Sequence, residues 1–154
     1  MFFALAPGIV AGLGPWLVTR WRPGDPAWWL PVRVAGALLL VAGAVVLLHA
    51  FWRFVREGAG TPAPVAPTER LVVGGLYRHI RNPMYVAVVA CILGQALLLS
   101  SPALLVYAAI AGGGMAAFAR WYEEPHLAAR YGGQYRRYRE SVPGWWPRLR
   151  PWQG

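Results

Sequence analysis

Two polar clusters hold most of the side chains able to do chemistry. The first runs from Glu69 to Tyr85, ERLVVGGLYRHIRNPMY, and centres on Arg81-Asn82-Pro83-Met84-Tyr85. The second is Arg120-Trp121-Tyr122-Glu123-Glu124, directly after an apolar run. Carboxylates at a membrane boundary are costly unless paired or put to use. On a helix Arg120 reaches Glu123 or Glu124, three and four residues on, and either carboxylate could instead face a cationic ligand or a ligand amine. Asn82-Pro83 reads as a helix start, Asn82 as N-cap and Pro83 in the first helical position, and a helix N-terminus attracts an anion such as a ligand carboxylate. Tyr77 and Tyr85 offer aromatic faces to a cation. Gly74-Gly75 is either a simple turn or, beside Leu71, Val72 and Tyr77, a backbone-rich apolar surface able to hold a flat purine. No dinucleotide fingerprint, P-loop or His/Cys metal spacing is present. His79 and His126 stand at no ligand spacing, and the single cysteine, Cys91, lies inside an apolar run. A direct transfer between two bound substrates needs none of these.

The elements that must position the clusters are apolar. Of the 154 residues 57% are hydrophobic and only 14% charged, against about 25% charged in ordinary soluble domains. The formal charge of +9 comes from arginine alone, with no lysine. The arginines lie between and after apolar runs, which favours a membrane surface over nucleic acid. Four runs stand out: Phe2–Thr19, broken by Pro7, Gly8, Gly12, Gly14 and Pro15; Val34–Trp52, without a charge; Met84–Leu99; and Ala103–Ala119. The first has no basic residue before Arg20 and no A-x-A site, so it reads as a retained segment, short or kinked. Small residues in the second run (Gly36, Gly43 and their neighbours) allow close helix approach, and Gly112-Gly113-Gly114 in the fourth permits very close packing or a kink. Ser100-Ser101-Pro102 turns the third run into the fourth as an antiparallel hairpin. The polar stretch before the hairpin and the tail after it therefore share one side. Arg53, Arg56, Arg70, Arg78, Arg81 and seven arginines from Arg120 onward lie on that side, with only Arg20, Arg22 and Arg33 on the other; the positive-inside rule makes it cytoplasmic. The tail, rich in Arg, Tyr and Trp, suits docking to headgroups or to the protein's own core.

The series Tyr77, Arg81-Asn82-Pro83-Met84-Tyr85, a short hairpin, Glu123-Glu124, then Tyr131-Gly132-Gly133-Gln134-Tyr135-Arg136-Arg137-Tyr138 and Val142-Pro143 resembles the isoprenylcysteine carboxyl methyltransferase and phospholipid methyltransferase superfamily, its small bacterial members above all. The resemblance covers roughly residues 60–147. It implies an S-adenosyl-L-methionine-dependent membrane methyltransferase in which Leu71, Val72, Tyr77, Arg81, Asn82, Pro83, Met84, Tyr85, Glu123 and Glu124 bind the cofactor and Glu123 and Arg120 serve the reaction. Asn82 stands where the family motif commonly has His, and Ala119, next to Arg120, stands where eukaryotic relatives have a substrate-side Arg.

The combined expectation is an all-α integral membrane protein with about four transmembrane helices. Its cytoplasmic cofactor pocket is formed by a loop over residues 53–83, the last helical hairpin and the C-terminal tail. Residues 1–154 form one membrane domain, 1–56 an N-terminal transmembrane pair and 57–154 the cofactor-binding part. The acceptor is a lipophilic or membrane-embedded molecule: an isoprenoid carboxylate, a phospholipid amine or a small thiol. Neither metal nor nucleic acid is expected, and the location is the bacterial cytoplasmic membrane, with both termini and the site on the cytoplasmic face. The alternative is an NADPH-dependent membrane reductase of sterol-reductase type, whose C-terminal hairpin is similar.

Overall fold

The computed structural model describes residues 6–24, 27–58 and 71–153, and among these every regular element is helical. Helix α1 spans Ala6–Thr19, α2 Leu30–Gly58, α3 Pro83–Leu98, α4 Pro102–Phe118 and α5 Glu124–Ser141. A 3₁₀ turn, Gly75–Arg78, precedes α3, and a π-helical segment, Ala119–Glu123, joins α4 to α5 without a break. The contacts divide the chain into two compact units, residues 1–47 with 85–113 and residues 48–84 with 114–154.

The first unit is built on small residues and on repaired backbone. A β-carbon on Gly36 would stand 2.6 Å from Leu98 N and 2.8 Å from Gly94 O, and one on Gly94 would stand 2.6 Å from Leu40 N. The backbones of α2 and α3 thus touch directly, as small residues permit in membrane helices. Helix α1 keeps its prolines by another device. It widens to a π-helix over Ile9–Leu13, where Gly14 N–H returns to Ile9 O, and Pro15 supplies no N–H to the preceding turn. The carbonyls of Val10 and Ala11 are satisfied from outside: Tyr107 Oη donates to Val10 O at 2.9 Å and Gln95 Nε2 to Ala11 O at 2.7 Å. Unpaired carbonyls in an apolar medium carry an uncompensated desolvation cost, which Gln95 and Tyr107 remove from this helix. The connection from α1 to α2 docks on the α3–α4 turn, with Gly24 N–H on Leu99 O and Trp28 N–H on Ser100 Oγ. Arg33, inside α2, donates to Leu98 O at 3.2 Å.

Several expectations change. Helix α2 starts at Leu30 and continues to Gly58, so residues 53–58 are helical and the loop expected over 53–83 begins later. Nothing in Arg53-Phe54-Val55-Arg56-Glu57 breaks a helix, and the glycine and proline run comes after them. Residues 59–70 of that loop, with Arg70, lie outside the described residues. The triple glycine of α4 neither kinks the helix nor mediates close packing: Gly112 meets Val89 at an ordinary 3.4 Å, and Gly113 and Gly114 have nothing within 4 Å. The hairpin is found as expected, with Ser100 at φ 55 in its turn.

Helix α2 leaves Leu30, Val34, Leu38, Val41, Val45, Leu48 and Trp52 exposed. Their spacing of three and four residues draws one apolar stripe along the helix, about 33 Å long at 1.5 Å per residue. Among the described residues two helices are long and apolar enough to cross a membrane, Leu30–Arg53 and the apolar part of Pro102–Ser141, and only 17% of each apolar window is buried. Core helices of a water-soluble protein would be mostly covered; these present their apolar surface outward. Helices α1 and α3 are apolar but shorter.

Candidate active site

The second unit carries the polar clusters, and its framework is a set of backbone pairings between the residues before α3 and those after α5. Arg81 N–H donates to Pro143 O at 2.9 Å and Asn82 N–H to Gly144 O at 3.2 Å. Arg148 N–H reaches His79 O at 2.9 Å, and Trp152 N–H reaches Arg78 O at 3.0 Å. Side chains reinforce the seam: Arg78 Nε donates to Trp152 O at 2.6 Å, and His79 Nδ1 lies 2.8 Å from Arg148 O. The tail therefore docks on the protein itself along residues 78–82.

Helix α5 reaches that seam through a bend. Gly132 has φ 53 and ψ −124, outside the helical region. A β-carbon there would meet nothing within 4 Å, so glycine is required by conformation and not by space. Beyond the bend, Tyr135 and Tyr138 turn inward and are buried with Val142 against Leu71, Val73, Leu127 and Tyr131. Tyr138 Oη donates to Tyr77 O at 2.6 Å. Burial pushes the Tyr138 phenol well above its ordinary range, against the opposing charge of Arg81, so it stays a neutral donor.

The charged centre is Glu124. Its Oε1 accepts from Arg81 Nη1 at 2.9 Å, and its Oε2 meets Arg120 Nη1 and Arg139 Nη2, each at 3.1 Å. Glu124 and Arg81 have side chains only 13% and 15% exposed. Arg81 also donates through Nε to Val142 O at 2.9 Å and through Nη1 to Tyr135 Oη at 3.3 Å. It thus ties the residues before α3 to the first turn of α5, to the buried Tyr135 of α5 and to the tail. Arg120, Trp121, Glu124, Pro125, Ala128 and Arg139 line an open cleft of about 350 Å³.

The residues expected to hold a cofactor fall into distinct settings. Arg81, Arg120 and Glu124 come together as described. Val72 and Tyr77 are buried with Ala50, and Met84 packs against that cluster; Leu71 belongs to the tyrosine cluster of α5. Asn82 and Tyr85 are half-buried and Pro83 buried at the start of α3, and Glu123 is half-buried beside Glu124 in the chain. Pro83 opens α3, as the helix-start reading requires. Tyr85 belongs to the first unit. Gly75, at φ 56, forms the turn before Tyr77, with the Arg53 side chain against it. No group of three His, Cys, Asp or Glu able to hold a metal is found among the described residues. The sequence does not point to Arg139 as the third guanidinium on Glu124: fifteen residues and a bend separate the two, beyond any helical spacing. The Tyr131, Tyr135, Tyr138 spacing does carry a signal, three tyrosines on one helix face.

Comparison with known proteins adds one finding. Residues 32–134 match the model of the phospholipid methyltransferase family, and the chain belongs to that family. The match begins inside α2, well before the motif-bearing part of the sequence. No curated protein matches the chain, nor does any solved structure.

Proposed function

We propose that this phospholipid methyltransferase family member is an integral membrane enzyme that moves a methyl group from S-adenosyl-L-methionine to a lipophilic acceptor. The observation that carries the reading is the family match over residues 32–134, which covers both the Arg81–Tyr85 stretch and the Arg120–Glu124 cluster. Apolar helices with outward-facing apolar surface supply the setting for a lipid acceptor.

The chemistry of the residues suits the cofactor. It carries a sulfonium, an amine, a carboxylate and a purine; the chain sets carboxylates, guanidiniums and aromatic faces within one unit. Glu123 would meet the cationic end, Asn82 at the start of α3 the carboxylate, and Leu71, Val72, Tyr77 and Met84 the apolar surface. The cofactor supplies an electrophilic methyl group. Arg81 and Glu124 neutralise each other and hold three segments in register, so their contribution is placement. Methyl transfer to a lipid is governed by alignment and exclusion of water, which the barrier rewards by several kcal/mol. Asn82 hydrogen-bonds but does not titrate near neutrality, which fits a site that aligns its substrates and moves no proton through this position.

The topology belongs to the same proposal. Helices α1 to α4 cross the bilayer, with residues 53–83, the tail and the N-terminus in the cytoplasm, supported by the twelve-to-three division of the arginines. Helix α3, sixteen residues and so about 24 Å long, is shorter than a hydrocarbon core of about 30 Å. The polar residues Arg81 and Asn82 just before it then lie below the headgroups, within reach of a lipid entering from the side. Calorimetry on detergent-purified protein tests the cofactor: S-adenosylmethionine and S-adenosylhomocysteine are expected to bind and NADPH not. Binding of NADPH alone would refute the reading.

A further inference from the structure

The first unit carries three arginines, Arg20, Arg22 and Arg33, against a single carboxylate, Asp25, which lies outside the described residues. The positive-inside bias disfavours arginine at this end of the spans. Arg33 is drawn into the fold, its Nε on Leu98 O at 3.2 Å. Arg20 and Arg22 are exposed, and neither forms an ion pair among the described residues. The Arg20 guanidinium lies over the Trp16 ring, 4.3 Å from its centre. Its five N–H donors run around the edge of the plane, where an anion would meet them. The backbone at this point is strained. Arg20 and Trp21 follow each other at φ 52 and 54, the left-handed region that favours glycine. Two bonds hold Trp21 there: its N–H on Thr19 Oγ1 at 3.1 Å and its indole Nε1 on Gln95 Oε1 at 3.3 Å. Strained residues persist where their surroundings over-determine them, and they gather at ligand sites. Here the strain brings Trp21 to the same groove as Trp16. The two indoles, with Gly12 and Leu13, line an open apolar groove of about 430 Å³, within the ~300–1,000 Å³ of sites that hold small molecules. A β-carbon on Gly12 would meet nothing within 4 Å, so the glycine leaves the groove clear. Gly12 and Leu13 belong to the π-helical stretch of α1, a helix form frequent at functional sites.

We infer that this groove and the two arginines form a site for one acidic lipid, with an acyl chain along Trp16 and Trp21 and the anionic headgroup on Arg20 and Arg22. The lining is hydrocarbon and aromatic, which suits a chain and offers a free anion nothing. Charge complementarity supplies the other half. Arg20 lies on the wall residue Trp16 and Arg22 directly follows the wall residue Trp21, so a cation accompanies each indole, and guanidinium forks bind phosphate oxygens two at a time. The lipid is a structural ligand of the α1–α2 connection and not the methyl acceptor: the groove belongs to the first unit, and Arg81, Arg120 and Glu124 belong to the second. The inference rests on the proposed crossing of α1 and is independent of methyl transfer.

The test uses the full chain, delipidated in a neutral detergent, and titrates dioctanoyl phosphatidylglycerol, its zwitterionic counterpart dioctanoyl phosphatidylcholine, and glycerol phosphate. Each is run against wild type, R20Q/R22Q, G12L and R137Q, Arg137 being an exposed arginine of the second unit. Phosphatidylglycerol is expected to bind wild type at least tenfold more tightly than phosphatidylcholine, about 1.4 kcal/mol, with the difference shrinking as salt is added. Glycerol phosphate should not bind measurably. R20Q/R22Q should bring phosphatidylglycerol down to the level of phosphatidylcholine, and G12L, which fills the groove, should weaken both lipids at least tenfold. R137Q should match wild type, and S-adenosylmethionine affinity should stay within twofold in every variant. Phosphatidylglycerol affinity unchanged in R20Q/R22Q would overturn the site, whether or not G12L folds. Equal affinity of the two lipids for wild type would overturn the acidic assignment, and glycerol phosphate binding as tightly as the lipid would overturn the lipid assignment. If phosphatidylglycerol depends on Arg20 and Arg22 while S-adenosylmethionine fails to bind wild type, the site stands and the methyltransferase reading falls.

Discussion

Glu124 shows how one side chain can organise a unit. It is mostly buried and neutralised from three sides by Arg81, Arg120 and Arg139. Breaking a buried pair by removing one partner costs about 3–5 kcal/mol, because it strands a charge; with two partly exposed arginines in this set, a smaller loss is expected. Glu124→Gln should lower stability in detergent by about 2 kcal/mol, read from the thermal midpoint, and should release the tail to protease ahead of the membrane helices. A variant as stable as wild type would show that the tail is held by its backbone seam alone. Gly132 gives a second case. At φ 53 and ψ −124 an alanine is strained by about 1–3 kcal/mol, although space is open around it. Gly132→Ala should either cost that much or straighten α5 and expose Tyr135 and Tyr138, which tyrosine fluorescence quenching would report. Part of this was legible beforehand. The pairing of Arg120 with a glutamate followed from helical spacing, whereas Arg81 and Arg139 come from residues far along the chain and met no local rule.

At the scale of elements, the helices were legible and their ends were not. Uncharged runs located α2, α3 and α4, but α2 outlasts its apolar run by more than one turn, because Arg53 to Glu57 are compatible with a helix and only the following Gly and Pro residues are not. The glycines illustrate the same limit. Sequence singled out both Gly36 and the triplet Gly112-Gly113-Gly114; only the former meets another backbone, since contact depends on which face a neighbour occupies. Gly94→Val should therefore force α2 and α3 apart and cost about 1–3 kcal/mol, while Gly113→Ala should be neutral or slightly stabilising through helix propensity. Thermal unfolding of the two variants in one detergent decides between them. Gln95 tests the repaired helix: Gln95→Leu should destabilise by about 1 kcal/mol by orphaning the Ala11 carbonyl. The tyrosine cluster of α5 adds a pH dependence. The Tyr138 phenol is raised by burial, so the folded state holds its proton where the unfolded chain has released it. Stability is then intact below about pH 10, the ordinary phenol value, and declines as pH rises above it. Tyr138→Phe should start lower, having lost its bond to Tyr77 O, and decline less steeply.

At the scale of the molecule, composition and charge placement said membrane before any residue was assigned a role, and the outward apolar stripe of α2 agrees. Motif order pointed to the family, and the family match over residues 32–134 confirms it, reaching further toward the N-terminus than the motifs and ending before Tyr135. What sequence could not supply was the way the tail returns to residues 78–82, because backbone pairing between irregular segments leaves no periodic trace. That seam makes the tail part of the site's framework, and removing residues 142–154 is expected to abolish cofactor binding along with fold integrity in that unit. The proposed reaction is methyl transfer to a lipid. Purified protein reconstituted in phospholipid and given S-adenosylmethionine labelled in its methyl group answers it directly. Label is expected in a lipid-extractable product, with one S-adenosylhomocysteine formed for each methyl transferred. A folded protein that binds neither the cofactor nor its demethylated product, and leaves every extracted lipid unlabelled, would contradict it.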